Sequence, residues 1–206
     1  MPSRALADFQ NRLSDVQQLI DAHDALTRLR RAEASLQAGG KKGLSNIAAV
    51  VDHLVSAPGA GRRYEVHALN NAGVALLSGN LQGFVADIFA ESASALLAGH
   101  IQSIQALTAA APTRGNPNPQ NIIRLFSVLG FEDIFQRLSW KNMSTQALKR
   151  KLQDFNTLRN LIVHGAKQSV RKQVVVNHLN VFGNFANKLD AKLNTEIRKL
   201  TGKRPW

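Results

Sequence analysis

The chain contains no cysteine, which removes disulfides and thiolate metal sites from consideration and is compatible with a reducing cytosol. Aromatic residues are scarce, at 6%, with a single Tyr and two Trp, so a stacking platform for single-stranded nucleic acid is not expected. No stretch has the apolar length to span a bilayer, and the opening MPSRALADFQNRL reads as an amphipathic helix without a signal-peptide core. The expectation is a soluble, cytoplasmic protein with no membrane partner. Also missing are a Gly-rich phosphate loop, HExxH, a nucleophile elbow and a Cys/His cluster of zinc spacing. We therefore expect neither a metal nor a cofactor. His23, His53, His67, His100 and His178 are scattered, as surface or packing residues would be.

Acidic residues run short in one region. Residues 1–140 hold 12 Lys+Arg against 11 Asp+Glu, whereas residues 141–206 hold 14 against 3. Such asymmetry fits a polyanionic partner, nucleic acid first and an acidic protein next. A solvated helix surface accounts for the same charges, and composition alone does not separate the two.

What the chain does have is helical periodicity. At 206 residues it can bury a sizeable core within one domain. Leu6, Phe9, Leu13, Val16, Ile20, Leu26 and Leu29 predict a long helix from Ser3 to Gln37, stopped by Gly39 and Gly40. Arg28, Arg30 and Arg31 decorate its end, where cations suit the helix dipole. Leu44, Ile47, Val51, Leu54 and Val55 predict a second helix. A third, central helix is expected from Tyr64 past Leu97, as far as Ala110. Its Gly73, Gly79 and Gly83 would weaken an isolated helix and make sense if another backbone approaches closely. Asp87 and Glu91 are spaced as a carboxylate pair but, without a nearby His, read as a solvated face.

Pro112–Gln120 is the clearest loop. Asn118 and Pro119 fit a cap and first-turn proline for a helix through Ile122, Leu125, Phe126 and Leu129, ended by Gly130. Phe131–Trp140 adds apolar packing, and Ser144 or Thr145 can cap the next helix. A last long helix carries Val175, Leu179, Phe182, Phe185, Leu189, Leu193, Ile197 and Leu200 as its stripe. The Val174–Val176 run continues in helical register, which argues against a strand. The fold class is all-α: a helical bundle with long core helices and short accessory helices.

The segment LQDFNTLRNLIVHG, residues 152–165, carries the chemistry. Leu152, Phe155, Leu158 and Ile162 form a buried seam, and Gly165 suits the left-handed residue that ends a helix. His164 then sits on the last turn, where the helix dipole favours protonated imidazole and poises it for acid and base work. Asn160 shares its face, while Arg159 lies about 140° away around an ideal helix. Arg and His can therefore converge on one substrate if the helix end frays or a second chain faces it.

LRNLIVHG, preceded by PNPQNIIRLFSVLGFEDI and by ALNNAGVALLSGNLQGFVADI, resembles the HEPN superfamily and, within it, the RiboL-PSP type of HEPN protein. The resemblance spans roughly residues 60–200. It implies a HEPN-like helical bundle over residues 1–206, with a core at 62–200 and the N-terminal helices at 3–58 as an elaboration. It also implies a metal-independent endoribonuclease, used as a toxin or in defence against phage, and commonly dimeric. The family's motif Arg and His fall on Arg159 and His164, and its polar residue after the Arg on Asn160. Relatives often carry an acid in mid-central helix where this chain has Gln82, which leaves Asp87 as the nearest carboxylate.

Three readings follow. In the first, the protein cleaves RNA by attack of a ribose 2′-hydroxyl, with His164 moving protons, Arg159 holding the phosphate and Asn160 orienting either. Lys167, Arg171 and Lys172 would track the RNA backbone beside the cut, and a homodimer would bring two His164 together. In the second, the same residues bind RNA or a nucleotide and nothing is cut. In the third, the basic surface docks an acidic antitoxin or another defence-system partner.

Overall fold

A computed structural model of the chain describes residues 1–38, 55, 65–98, 100–110, 116–165 and 168–206. Six helices are present among them: α1 (Arg4–Ala38), α2 (His67–Leu96), α3 (Ile101–Ala110), α4 (Pro119–Ser127), α5 (Thr145–Val163) and α6 (Lys172–Thr201). The described residues contain no strand, and the chain is an all-helical bundle. The helix expected over Leu44–Val55 lies outside the described residues, apart from Val55, which is buried beside Val66.

α2 is the central helix and packs against each of the other five. It is mostly apolar, which suits a helix covered on several sides. Contrary to the expectation of no bilayer-length stretch, α2 is long and apolar enough to cross a membrane, but 56% of its apolar window is buried inside the bundle. It also ends earlier than expected. Leu97 caps it, Ala98 turns to φ 51°, and α3 starts afresh at Ile101. A left-handed residue cannot continue a right-handed helix, so the expected long helix is two.

The glycines of α2 admit side chains rather than a backbone. A Cβ on Gly73 would stand 3.1 Å from Val175, and one on Gly83 would stand 2.6 Å from the Arg12 guanidinium; Gly79 faces open space. The gap at Gly83 lets Arg12 reach Asp87, with Nη2 to Oδ2 at 3.5 Å. Glu91 is likewise engaged, accepting from the backbone N–H of Arg4 and of Ala5 at 3.2 and 2.6 Å. The first turn of a helix leaves N–H groups without partners, and a carboxylate there meets both that need and the dipole. Asp87 and Glu91 thus hold α1 in place rather than forming a solvated face.

Phe9 of α1 lies 4.9 Å from Phe84 of α2, and Leu6, Val16 and Ile20 join the same core. Leu29 and Leu200, expected in their stripes, are 46% and 68% exposed. α4 begins as expected, with Asn118 Oδ1 accepting from Asn121 N–H and Pro119 in the first turn. In the following turns Ile134, Phe135 and Leu138 are buried.

α5 is capped by Ser144, whose hydroxyl accepts from Ala147 N–H, and it buries Leu148, Leu152 and Phe155. Phe155 meets Phe182 of α6 edge-on at 4.7 Å. Since truncating a buried Phe costs about 3–5 kcal/mol, this pair fixes where α5 lies on the bundle. His178 packs on the same Phe155 at 4.9 Å, and its Nδ1–H donates to the Val174 carbonyl. Burial pushes its pKa below 6.5, against the raising effects of that bond and of Asp154; Lys151 adds to the lowering.

A folded-state pKa below the unfolded one means that the unfolded chain binds the extra proton as pH falls. The contribution of His178 is therefore complete above about pH 6.5 and declines as pH falls through its folded-state pKa. Thermal melts at pH 7.5 and 5.0 should show a smaller acid-induced drop for His178→Gln than for the wild type. An equal drop would exclude His178 as its source.

Candidate active site

α5 presents its last turn at the surface. His164 is the C-cap residue: its backbone N–H donates to the Asn160 carbonyl at 3.0 Å, while its side chain is exposed. Gly165 takes φ 78°, so the chain leaves the helix without the clash a Cβ would bring there. No described residue hydrogen-bonds the His164 ring. It is free to meet a substrate.

Arg159 is half-buried at the margin of the α5 seam and does not point away from the site. Its Nη1 donates to Asn160 Oδ1 at 3.1 Å. The same oxygen accepts from Asn116 Nδ2 at 3.0 Å, and Asn121 Nδ2 in turn donates to the Asn116 carbonyl at 2.9 Å. A side chain held from two directions keeps its rotamer, so Asn160 is a fixed post onto which the guanidinium folds. Arg159 spends one of its five N–H donors on this contact, and no described carboxylate pairs with it. The guanidinium thus leans to the Asn160 side of the helix, the side on which His164 follows.

Asn116 is the participant that reading the sequence missed. It stands just before the PNPQ stretch, and the repeated Asn-Pro pairs around it were the available signal. Around the α5 axis, at about 100° per residue, the order is Arg159, Val163, Asn160, His164, Leu161. Val163 and Leu161 are 51% and 41% exposed, so two apolar side chains stand among the polar ones.

The segment after the motif is pinned to the start of α2. Asn70 Nδ2 and His67 Nδ1 both donate to the Val170 carbonyl, at 2.8 and 3.1 Å, and Asn71 donates to Gln168 O at 3.2 Å. Glu65 accepts from the Lys172 N–H at 3.1 Å, a cap supplied from outside α6. Lys167 lies outside the described residues. Arg171 is exposed at the start of α6.

Lys172 is already partnered, with Nζ 2.7 Å from Asp24 Oδ1 on α1. Burial acts to raise the Asp24 pKa, but hydrogen bonds from Lys172 and His23 and their charges outweigh it and hold the carboxyl below its usual value. Asp24 therefore stays ionised, and Lys172 is committed to it.

An all-helical bundle that offers Arg, Asn and His at the surface end of one helix has the architecture of a HEPN protein. The family model RiboL-PSP-HEPN matches residues 42–195, and the chain belongs to that family. No curated protein and no solved structure is similar enough to the chain to match it. HEPN domains are often ribonucleases, which ties the chain to an RNA-related role.

Proposed function

We propose that this protein is a metal-independent endoribonuclease. The observation that supports it best is the pairing of an exposed His164 ring, bonded to no described residue, with an Arg159 guanidinium folded onto Asn160 at the same helix end. The 2′-oxygen attacks the adjacent phosphorus as its proton passes to a base. The bond to the 5′-oxygen breaks, and that oxygen takes up a proton. The products are a 2′,3′-cyclic phosphate and a 5′-hydroxyl. His164 moves protons and Arg159 binds the non-bridging oxygens, where charge builds in the transition state. Asn160, held by Asn116, positions Arg159.

Attack requires a base and departure requires an acid, yet the described residues of one chain place one His here. A homodimer in which two α5 ends face each other supplies both. Val163 and Leu161 would be covered in such a pair, which gives their exposure a purpose. The proposed setting is the cytoplasm, with cellular or phage RNA as substrate and an antitoxin or another defence component as the restraining partner.

The test is a labelled RNA incubated with the protein in excess chelator. Cleavage products ending in cyclic phosphate are expected, and DNA of the same sequence, lacking the nucleophile, should remain whole. RNA that is bound but never cut would leave a binding module and defeat the nuclease.

A further inference from the structure

A second concentration of positive charge lies between the N-terminal helix and the start of α6, in a hollow that no α5 residue lines. Arg28 and Arg31 of α1 and Arg171 at the start of α6 line one hollow of about 460 Å³, whose walls also include Thr27, Lys172 and Gln173. All three arginines are exposed, and none has an ion-pair partner among the described residues. Arg28 and Arg31 are three positions apart, hence on one helix face.

Two carboxylates share the hollow, but both are occupied. Asp24 holds Lys172, and Glu65 Oε2 accepts from Asn70 Nδ2 at 2.9 Å and from Lys172 N–H at 3.1 Å, with His23 Nε2 at 3.0 Å. Asp24 is offset by Lys172, whereas the partners of Glu65 are neutral donors and the His23 ring, so the lining sets four cations against two carboxylates and stays net positive. The first turn of α6 opens here with no acidic residue of its own, but Glu65 already accepts from its Lys172 N–H, so the attraction for an anion comes from the arginines.

We propose that this hollow is a docking subsite for RNA backbone phosphates, separate from the cleavage centre. The chemistry fits phosphodiester oxygens: exposed guanidinium forks from two elements, without an apolar wall for a base among the lining residues. Arg171 is seven positions after His164, a span of at most about 25 Å, so one strand can reach both places. Arg28 and Arg31 precede the family match at residues 42–195, and Arg171 lies within it. The proposal rests on the RNA-cleavage reading for the identity of the polymer.

The experiment measures binding of a labelled RNA oligonucleotide across a KCl series, in the full chain carrying His164→Ala to prevent cutting. Adding Arg28→Gln with Arg31→Gln should weaken binding about tenfold at low salt. It should also flatten the slope of log affinity against log salt by about 1.4, two single-strand phosphate contacts' worth. The control is Lys188→Gln with Lys203→Gln, on exposed lysines of and beyond α6; Lys203 lies past the far end of a helix about 45 Å long. Its slope should match the parent's.

An unchanged slope in the arginine pair, or an equal fall in the control pair, would overturn the subsite. So would failure of the parent to bind RNA while polyglutamate binds through the same arginines, which would make the hollow a dock for an acidic protein. The two readings fail separately: a flattened slope with no cleavage by the wild type retains the subsite and removes the nuclease, and cleavage with an unchanged slope does the reverse.

Discussion

His164→Ala should abolish RNA cleavage in excess chelator, and Arg159→Ala should reduce it by at least about a hundredfold, with both proteins still folded. Removing a positioned general acid or base costs about 10²–10⁴ in rate, and removing a donor to developing charge costs about 10²–10³. Neither loss should be one of stability. The His164 ring is exposed and bonded to no described residue, and the half-buried Arg159 makes one side-chain hydrogen bond among the described residues, to Asn160. An exposed substitution such as His164→Ala usually stays within about 0.5 kcal/mol, and Arg159→Ala should cost about 1 kcal/mol, short of unfolding. Arg159→Lys should also cut poorly, because an ammonium cannot give two parallel hydrogen bonds to a phosphate. Melting and cleavage measured on the same samples decide the matter. A variant that melts early yet cuts at the wild-type rate per folded molecule would refute the assignment.

Placing charge on the apolar flanks of the site should be nearly as damaging. Leu161→Asp with Val163→Asp leaves Arg159, Asn160 and His164 in sequence and changes side chains that point to solvent, so the fold should survive. In a two-fold pair the same patch meets itself, and four carboxylates would then face one another without water. Sedimentation should show the wild type as a dimer and the double variant as a monomer, with cleavage down by about a hundredfold or more if each centre needs both His164 rings. A wild-type monomer at concentrations of full activity would sink the dimer.

Some features of this site were legible from short range. Ser144, Asn118 with Pro119 and Gly165 act through hydrogen bonds or torsions within a few residues, so caps and stops could be placed by reading along the chain. The periodic seam of Leu152 and Phe155 likewise fixed which face of α5 is buried. The break at Ala98 was harder to see: a local torsion stops α2, and Ala is not a residue that announces a left-handed turn. Resemblance supplied the pairing of Arg159 with His164, which spacing alone set 140° apart.

The amino-acid sequence by itself determined that the protein is helical, that α2 is its centre, and that α5 ends at a His followed by a left-handed Gly. All of these depend on periodicity and on bonds between near neighbours. Only the tertiary structure decided that Asn116 locks Asn160 across 44 residues, that Glu91 caps α1 across 86, and that Lys172 is held by Asp24 across 148. The reason is physical. A hydrogen bond between distant residues leaves no periodic trace, because each partner needs only to be polar and on the right face, a condition that many Asn, Glu and Lys residues in this chain meet equally well. Which of them pair is settled by how the hydrophobic seams dock, and that docking turned Arg28 and Arg31 of α1 toward the start of α6.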